Sequence, residues 1–134
     1  MRQRTLLAIS LLTLASCGGG DDSARYQQLV EQAAAKEAQA RALGVDAPCQ
    51  QTSQCGLLTF LEPAACLVST YKVYSTVSPT AQAAKVAADE QLVLAQQAIA
   101  LRSQDPVPCP LLIAVPPTPA CVANQCQAAP AALP

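Results

Sequence analysis

Seven cysteines stand in a chain of 134 residues that has very few large rings: three tyrosines, one phenylalanine and no tryptophan. A core of this kind must be built from Ala, Leu, Val and Ile, which bury less area per residue than aromatic side chains do. A small domain with such a core needs other support, and disulfide bonds are one source of it. The seven cysteines are Cys17, Cys49, Cys55, Cys66, Cys109, Cys121 and Cys126.

The first cysteine ends a segment with the layout of an export signal. Two arginines lie within the first four residues, residues 5–14 are almost wholly apolar, and two small residues precede Cys17. A charged start, an apolar run and a small-residue cleavage site are typical of a secretory signal peptide. The apolar run is far shorter than the roughly 20 residues that a membrane-spanning helix needs. We therefore expect residues 1–16 to be removed from the mature protein.

The sequence Leu14-Ala15-Ser16-Cys17 closely resembles the lipobox of bacterial lipoproteins. The resemblance implies that Cys17 carries a diacylglycerol on its sulfur and a further acyl group, such as palmitate, on its amino group. Two or more acyl chains hold a protein stably at a membrane. Gly18 stands where this class of protein has an aspartate as its inner-membrane retention signal, so the resemblance implies the outer membrane. Residues 17–22 would then be the lipidated cysteine and a flexible, glycine-rich tether.

The remaining six cysteines predict a disulfide framework, because an even number in an exported domain is typical of paired thiols. Six cysteines allow 15 pairings, and the sequence does not choose among them. A structural metal site is the alternative, but zinc ligands usually come as close pairs and often include histidine. The chain has no histidine, and only Cys121 and Cys126 have a plausible ligand spacing. Disulfides are therefore favoured over a metal, and no cofactor is expected.

Two long, alanine-rich helices are predicted. Residues 23–43 are rich in helix-forming Ala, Gln, Glu and Lys, and Gly44 follows where a left-handed cap would end the helix. In the second, over residues 78–104, Ser78 and Pro79 fit the N-cap and the first helical position. Its Ala, Leu and Ile residues recur at three- and four-residue steps, which predicts one apolar face.

Short extended segments separate and follow these helices. Residues 56–61 and 67–76 are rich in β-branched, leucine and aromatic residues, and residues 111–115 form a third strand candidate between prolines. Residues 121–126 fit either a tight hairpin, because Asn124 tolerates turn dihedrals, or a loop clasp. The expected fold is α+β, with two helices packed together and a small disulfide-stapled β region. We expect one domain over residues 23–126 and a disordered Ala/Pro tail over residues 127–134.

The cysteine pattern is also similar to that of small cysteine-rich lipoproteins of proteobacteria that have no assigned function. The matching features are Cys49 and Cys55 with five residues between them, then Cys66 and Cys109, and finally a proline two residues before Cys121. This family contributes no catalytic residues.

The sequence contains few of the residues and motifs that enzymes use for catalysis. Without histidine, a Ser-His-Asp or Cys-His arrangement is impossible, and no nucleotide-binding or EF-hand motif occurs. Asp89 and Glu90 are expected on a solvated helix face, which leaves Glu62 as the single acid to test. Tyr71 and Tyr74 fit core packing better than a contact surface.

Composition and charge bear on the partners. The mature chain would carry six basic and nine acidic side chains, and no basic stripe occurs, which argues against nucleic acid as a partner. We therefore expect a non-enzymatic, lipid-anchored protein of the cell envelope with a structural or protein-binding role. The cysteine-containing loops, residues 46–77 and 106–126, would be the contact surface, because rigid loops on a scaffold commonly carry binding. The alternative is a small inhibitor of a periplasmic or host hydrolase.

Overall fold

The computed structural model describes residues 21–63, 68–102 and 114–129. Within them the chain forms two helices and two antiparallel two-stranded sheets. The elements in chain order are α1 (Asp21–Leu43), a short 3-10 turn (Thr52–Gln54), β1 (Cys55–Glu62), β2 (Val68–Ser75), α2 (Ala81–Arg102), β3 (Pro119–Val122) and β4 (Gln125–Ala128). The predicted α+β class, with two packed helices and a disulfide-stapled strand region, is confirmed.

The two helices meet through alanine. On α1 the buried residues are Leu29, Ala33 and Ala40. On α2 the buried residues are Ala81, Ala84, Ala87, Ala88, Gln91, Ala95 and Ala98. Side chains this small let two helix backbones approach closely, so a narrow apolar stripe is enough to pair them. Lys36, which interrupts the stripe of α1, forms an ion pair with Glu90 of α2 at 2.5 Å.

The sheet of β1 and β2 packs against the helices through alternate residues. Leu58 and Phe60 point from β1 into the core, and Tyr74 joins them from β2. Gly56 lies opposite Tyr74 in the register, and a Cβ at Gly56 would lie 2.8 Å from Cε1 of that ring. The glycine is therefore needed for space, and it lets the tyrosine ring lie across the strand. Arg41 of α1 places its guanidinium 4.5 Å from the centre of the Phe60 ring.

The ends of both helices differ from the sequence-based expectation. Gly44 does not adopt a positive φ, so the predicted left-handed cap is wrong. Its amide continues the helical pattern by donating to Ala40 O at 2.8 Å, and a Cβ there would lie 2.9 Å from Cδ1 of Leu58. Close packing against the sheet, and not the turn, accounts for glycine at this position.

The start of α2 also lies later than predicted. The helix begins at Ala81, and Ser78 and Pro79 precede it in a turn. The buried Ser78 hydroxyl has no hydrogen-bond partner among the described residues, so it is not the N-cap. Thr80 takes that place: its carbonyl accepts from the Ala84 amide at 2.9 Å, and its hydroxyl donates to Leu43 O at 2.6 Å. That second bond ties the start of α2 to the end of α1.

Several predicted boundaries are displaced. Helix α1 already begins at Asp21, within the predicted tether, and β4 continues to Ala128, two residues into the predicted tail. Strands β1 and β2 confirm the candidates at 56–61 and 67–76. Of the candidate at 111–115, Ala114 and Val115 lie in neither helix nor strand, and the rest falls outside the described residues. Residues 1–20 and 130–134 also fall outside them.

A buried glutamine closes part of the free edge of β1. The side chain of Gln91 on α2 is 1 % exposed, and it bonds both main-chain groups of Leu61. Its Nε2 donates to Leu61 O at 2.7 Å, and its Oε1 accepts from the Leu61 amide at 3.1 Å. An amide side chain thus occupies the position that a third strand would take, and it satisfies two buried polar groups.

Replacing this side chain tests that role. We expect Gln91→Leu to lower the free energy of unfolding by about 2–4 kcal/mol, because the leucine leaves a buried amide and carbonyl of Leu61 without partners. The matched control is Gln97→Leu, an exposed position on the same helix, where a change within roughly 0.5 kcal/mol is expected. Urea denaturation followed by circular dichroism measures both. Equal effects of the two substitutions would contradict this account.

Candidate functional site

Two disulfides join the middle of the chain to its C-terminal hairpin. Cys49 bonds Cys121 and Cys55 bonds Cys126, with Cα–Cα distances of 5.9 Å and 5.4 Å. The bridges span 72 and 71 residues along the chain. Four of the six cysteines that were predicted to form disulfides are therefore bonded in the structure. Cys66 and Cys109 lie outside the described residues, as does Cys17, the predicted lipidation site.

Strands β3 and β4 form a hairpin around a two-residue turn. Ala123 and Asn124 have φ values of 51° and 64°, so both occupy the left-handed region that such turns require. The hairpin alternative for residues 121–126 is therefore confirmed over the loop clasp, and Asn124 adopts the predicted turn conformation. Ala123 was not expected there, because alanine lacks the side-chain group that helps asparagine in this region.

Main-chain hydrogen bonds reinforce the bridges. The amide of Cys49 donates to Asn124 O at 3.2 Å, and the amide of Cys126 donates to Asp46 O at 2.7 Å. On the other side, the amide of Ser75 donates to Val45 O at 2.7 Å, which ties the same segment to β2. We call residues 45–55 and 119–128 together the bridged tip. Covalent and hydrogen bonds fix its two parts to each other and to the sheet.

A buried hydroxyl and a 3-10 turn hold residues 45–55 in place. The Ser75 hydroxyl donates to Pro48 O at 2.5 Å, and the Thr76 amide donates to Gln54 O at 2.8 Å. Gln54 also accepts, through its side chain, from the Gln50 amide at 2.7 Å. These contacts account for the burial of Ser75, a polar residue that no sequence pattern predicted to lie in the core.

The sulfur atoms of the two bridges form one cluster. Sγ of Cys49, Cys55 and Cys126 all lie within 4.8 Å of one another. Each of these sulfurs is bonded in a disulfide, so the cluster presents no thiolate to a metal in this state. Cys49 and Cys126 are 2 % and 4 % exposed, whereas Cys55 and Cys121 are half-buried.

The surface of the bridged tip is almost free of charge. Asp46 is its only ionisable side chain apart from the bonded cysteines; half of its exposed residues are Gln, Thr, Ser or Asn, and most of the others are Ala, Val or Pro. Val122 is 46 % exposed beside the turn, and Val77, just after β2, is 50 % exposed. The bridged tip is only part of the predicted contact loops, because residues 55–62 and 68–75 form the β1–β2 sheet. Its surface combines polar and apolar side chains and carries one charge, that of Asp46.

The other candidate residues lie elsewhere. Tyr74 is 7 % exposed in the core, as its sequence context favoured, and the Tyr71 hydroxyl donates to Ala114 O at 3.2 Å. Glu62 lies at the end of β1, half-buried, far along the strand from the bridged tip. Asp89 and Glu90 are exposed and paired with lysines. The structure does not bring these acids to the bridged tip.

Ion pairs organise the exposed helix faces. Arg41 lies 2.7 Å from Glu37, and Lys85 lies 2.7 Å from Asp89, as their one-turn spacing suggests. The hydrogen bond to Asp89 raises the pKa of Lys85 above its ordinary value. These pairs are exposed or half-exposed, so each contributes little to stability.

A second surface feature is an open groove between α1 and α2. It has a volume of about 680 Å³, and its lining includes Ala35, Val86 and Val93. Val86 and Val93 are 45 % and 53 % exposed. The groove is apolar, but the Lys36–Glu90 ion pair also lines it.

Comparison with known proteins finds no matching family model, no matching curated protein and no matching solved structure. Within the part of the chain that the structure describes, neither helix combines the length and the hydropathy required to cross a bilayer.

Removing both bridges is expected to cost more than the sum of removing each one alone. The first bridge closes a loop of more than 70 residues, worth about 4 kcal/mol in chain entropy. With one bridge present, the second closes a ring of only about a dozen residues, worth about 3 kcal/mol. We expect Cys49→Ala/Cys121→Ala and Cys55→Ala/Cys126→Ala each to cost about 3 kcal/mol, and the quadruple variant about 7 kcal/mol.

Urea denaturation of the three variants and the parent measures these differences. The double-mutant cycle should show that removing the second pair costs more than removing the first. Simple additivity of the two pairs would show that the bridges do not constrain the same loop.

Proposed function

We propose that this chain is a non-enzymatic, lipid-anchored protein of the cell envelope that binds another protein through the bridged tip. The observation that carries the proposal is the construction of that tip. Two disulfides and several main-chain bonds hold a small, uncharged surface rigid, and a rigid surface loses little conformational entropy when it binds. Asp46 alone is ionisable there, whereas general acid–base catalysis needs titratable groups arranged together.

The direction of α1 supports this role for the tip. Helix α1 begins at Asp21, four residues after Cys17, and runs for 23 residues to Leu43. At about 1.5 Å per residue, its two ends are roughly 33 Å apart. Val45, two residues beyond the helix, already belongs to the bridged tip. A lipid on Cys17 would therefore hold one end of the helix at the outer membrane and present the tip at the other end.

We also propose that Cys66 and Cys109 form a third bridge. They are the two cysteines left once two pairs are formed and Cys17 is lipidated. The flanking chain supports the pairing, because Nη1 of Arg102 donates to Pro63 O at 3.3 Å. Cys66 lies three residues after Pro63, and Cys109 lies seven residues after Arg102.

Mass spectrometry of the membrane-extracted protein tests the anchor. We expect the parent protein to lack residues 1–16 and to be heavier than its polypeptide by a diacylglycerol and an acyl chain, because the lipobox pattern places the cut before Cys17. The Cys17→Ser variant should retain residues 1–16 and carry no lipid. Gly18→Asp should keep the lipid and move the protein to the inner-membrane fraction. A parent protein with an unmodified Cys17 would refute the proposed anchor.

Site-specific photo-cross-linking in the producing cell tests the contact surface. A photoreactive amino acid at Val122, on the bridged tip, should give a discrete cross-linked product with an envelope protein. The matched control is the same probe at Val93, an equally exposed valine in the groove between the helices. If both probes gave the same product in the same yield, or if the probe at Val122 gave none, the bridged tip would not be the contact surface.

The same experiment separates the alternative function. If the product at Val122 contains a periplasmic or host hydrolase, the purified protein should block that enzyme at a one-to-one ratio. Inhibition should then be lost in the Cys49→Ala/Cys121→Ala variant, because an inhibitory loop depends on its rigidity. A captured partner whose activity is unchanged supports a structural or adaptor role.

A further inference from the structure

We propose that the two disulfides of the bridged tip form a single thiol–disulfide exchange site with a second, local pairing. In that pairing Cys49 bonds Cys55 and Cys121 bonds Cys126. An external thiolate, of the kind carried by glutathione or by a disulfide isomerase, is the reaction partner that converts one pairing into the other. The proposal concerns the sulfur cluster alone and does not depend on the lipid anchor or on the partner of the tip.

The spacing of the sulfurs makes exchange between the bridges possible. Disulfides rearrange when a thiolate attacks a sulfur of another bridge. Sγ of Cys49 lies within 4.8 Å of both sulfurs of the Cys55–Cys126 bridge. A thiolate released at Cys49 therefore lies beside the bond that it would attack.

The hairpin provides the second half of the local pairing. Cys121 and Cys126 are direct partners in the register of β3 and β4. Since the turn is two residues long, Val122 and Gln125 form the hydrogen-bonded pair next to it, and the cysteines form the following, non-hydrogen-bonded pair. The Cys126 amide accordingly points away from the hairpin and donates to Asp46 O. Cα atoms of such pairs are about 4.5 Å apart, which lies within the range that a disulfide can bridge.

Exposure indicates where the reaction begins. Cys121 and Cys55 are half-buried, whereas their bonding partners Cys49 and Cys126 are 2 % and 4 % exposed, so an external thiolate reaches each bridge at one sulfur. In the route that begins at Cys121, the external thiolate attacks Sγ of Cys121 and forms a mixed disulfide with it, while the Cys49–Cys121 bond breaks and Cys49 leaves as a thiolate. Cys49 then attacks Sγ of Cys55, which forms the Cys49–Cys55 bond and releases Cys126 as a thiolate. Cys126 attacks Cys121, closes the Cys121–Cys126 bond and expels the external thiolate unchanged, so no net oxidation or reduction takes place.

The exchange would remove both bridges between residues 45–55 and the hairpin, while each of these two segments keeps one bridge of its own. In the observed pairing, both bridges connect residues 45–55 to the hairpin. In the local pairing, each bridge lies within one of these segments, and noncovalent contacts such as the hydrogen bond from Cys126 to Asp46 join them. The exchange thus removes the covalent connection between the two segments.

Peptide mapping under native conditions tests the proposal. The folded protein is incubated with substoichiometric glutathione without denaturant or oxygen, blocked with N-ethylmaleimide, and digested with trypsin and chymotrypsin. Cleavage after Arg41, Phe60 and Leu111 isolates one peptide with Cys49 and Cys55 and another with Cys121 and Cys126. The observed pairing keeps these two peptides linked. The local pairing gives two separate peptides, each unlabelled and lighter by two hydrogens than its reduced form.

We expect the separate, unlabelled peptides to accumulate with time while the total content of free thiol stays constant. The control is Cys55→Ser/Cys126→Ser, which keeps the Cys49–Cys121 bridge but has no second bridge to attack. In that variant only glutathione adducts should appear. Peptides that stay linked in the parent protein, or that separate only with labelled thiols, would overturn the proposal.

A second variant isolates the attack of Cys49 on the Cys55–Cys126 bridge. In Cys121→Ser, the thiol of Cys49 remains beside the Cys55–Cys126 bridge. If the proposal holds, prolonged labelling with N-ethylmaleimide traps Cys126 as well as Cys49, with a Cys49–Cys55 bond in the molecules labelled at Cys126. Label confined to Cys49 would show that the sulfurs do not exchange.

Discussion

The fold depends on two covalent ties between distant parts of the chain. The core offers few large side chains, because most of the buried residues on both helices are alanines and Phe60 is the single fully buried ring. Burial of such small side chains contributes limited hydrophobic free energy. The bridges from Cys49 and Cys55 to the hairpin instead reduce the entropy of the unfolded chain, and they join the last strands to a segment that lies some 70 residues earlier.

The rest of the architecture reflects close packing between its elements and a sheet of only two strands. Alanine lets α1 and α2 approach closely, and Gly44 and Gly56 leave room for Leu58 and the Tyr74 ring. A two-stranded sheet has two free edges, and Gln91 covers part of one by bonding the main chain of Leu61. Thr80 joins the ends of the two helices in the same manner, through a hydroxyl on a carbonyl. Small residues thus allow close packing, and single polar side chains bind main-chain groups that additional strands or helices would cover in a larger domain.

Local patterns were sufficient to predict most elements, because helices and strands depend on short-range periodicity. The alanine steps in α2, the β-branched residues of β2 and the turn at Asn124 all carried that information. Pairing was not predictable, since Cys49 can reach any other cysteine until the fold is known. Gln91 looks in sequence like any other helical glutamine, and Gly44 stands at a helix end for a reason that only its neighbour Leu58 reveals.

The distribution of charge has a kinetic consequence. Apart from Asp46, the ionisable side chains of the described chain lie outside the bridged tip, on the helices and on the β1–β2 sheet. A molecule that docks on the tip therefore gains little long-range electrostatic attraction, and its association would proceed at the roughly 10⁵–10⁶ M⁻¹s⁻¹ of unsteered encounters. The lifetime of such a complex would rest on shape and hydrogen bonding, and it would change little between dilute and concentrated salt.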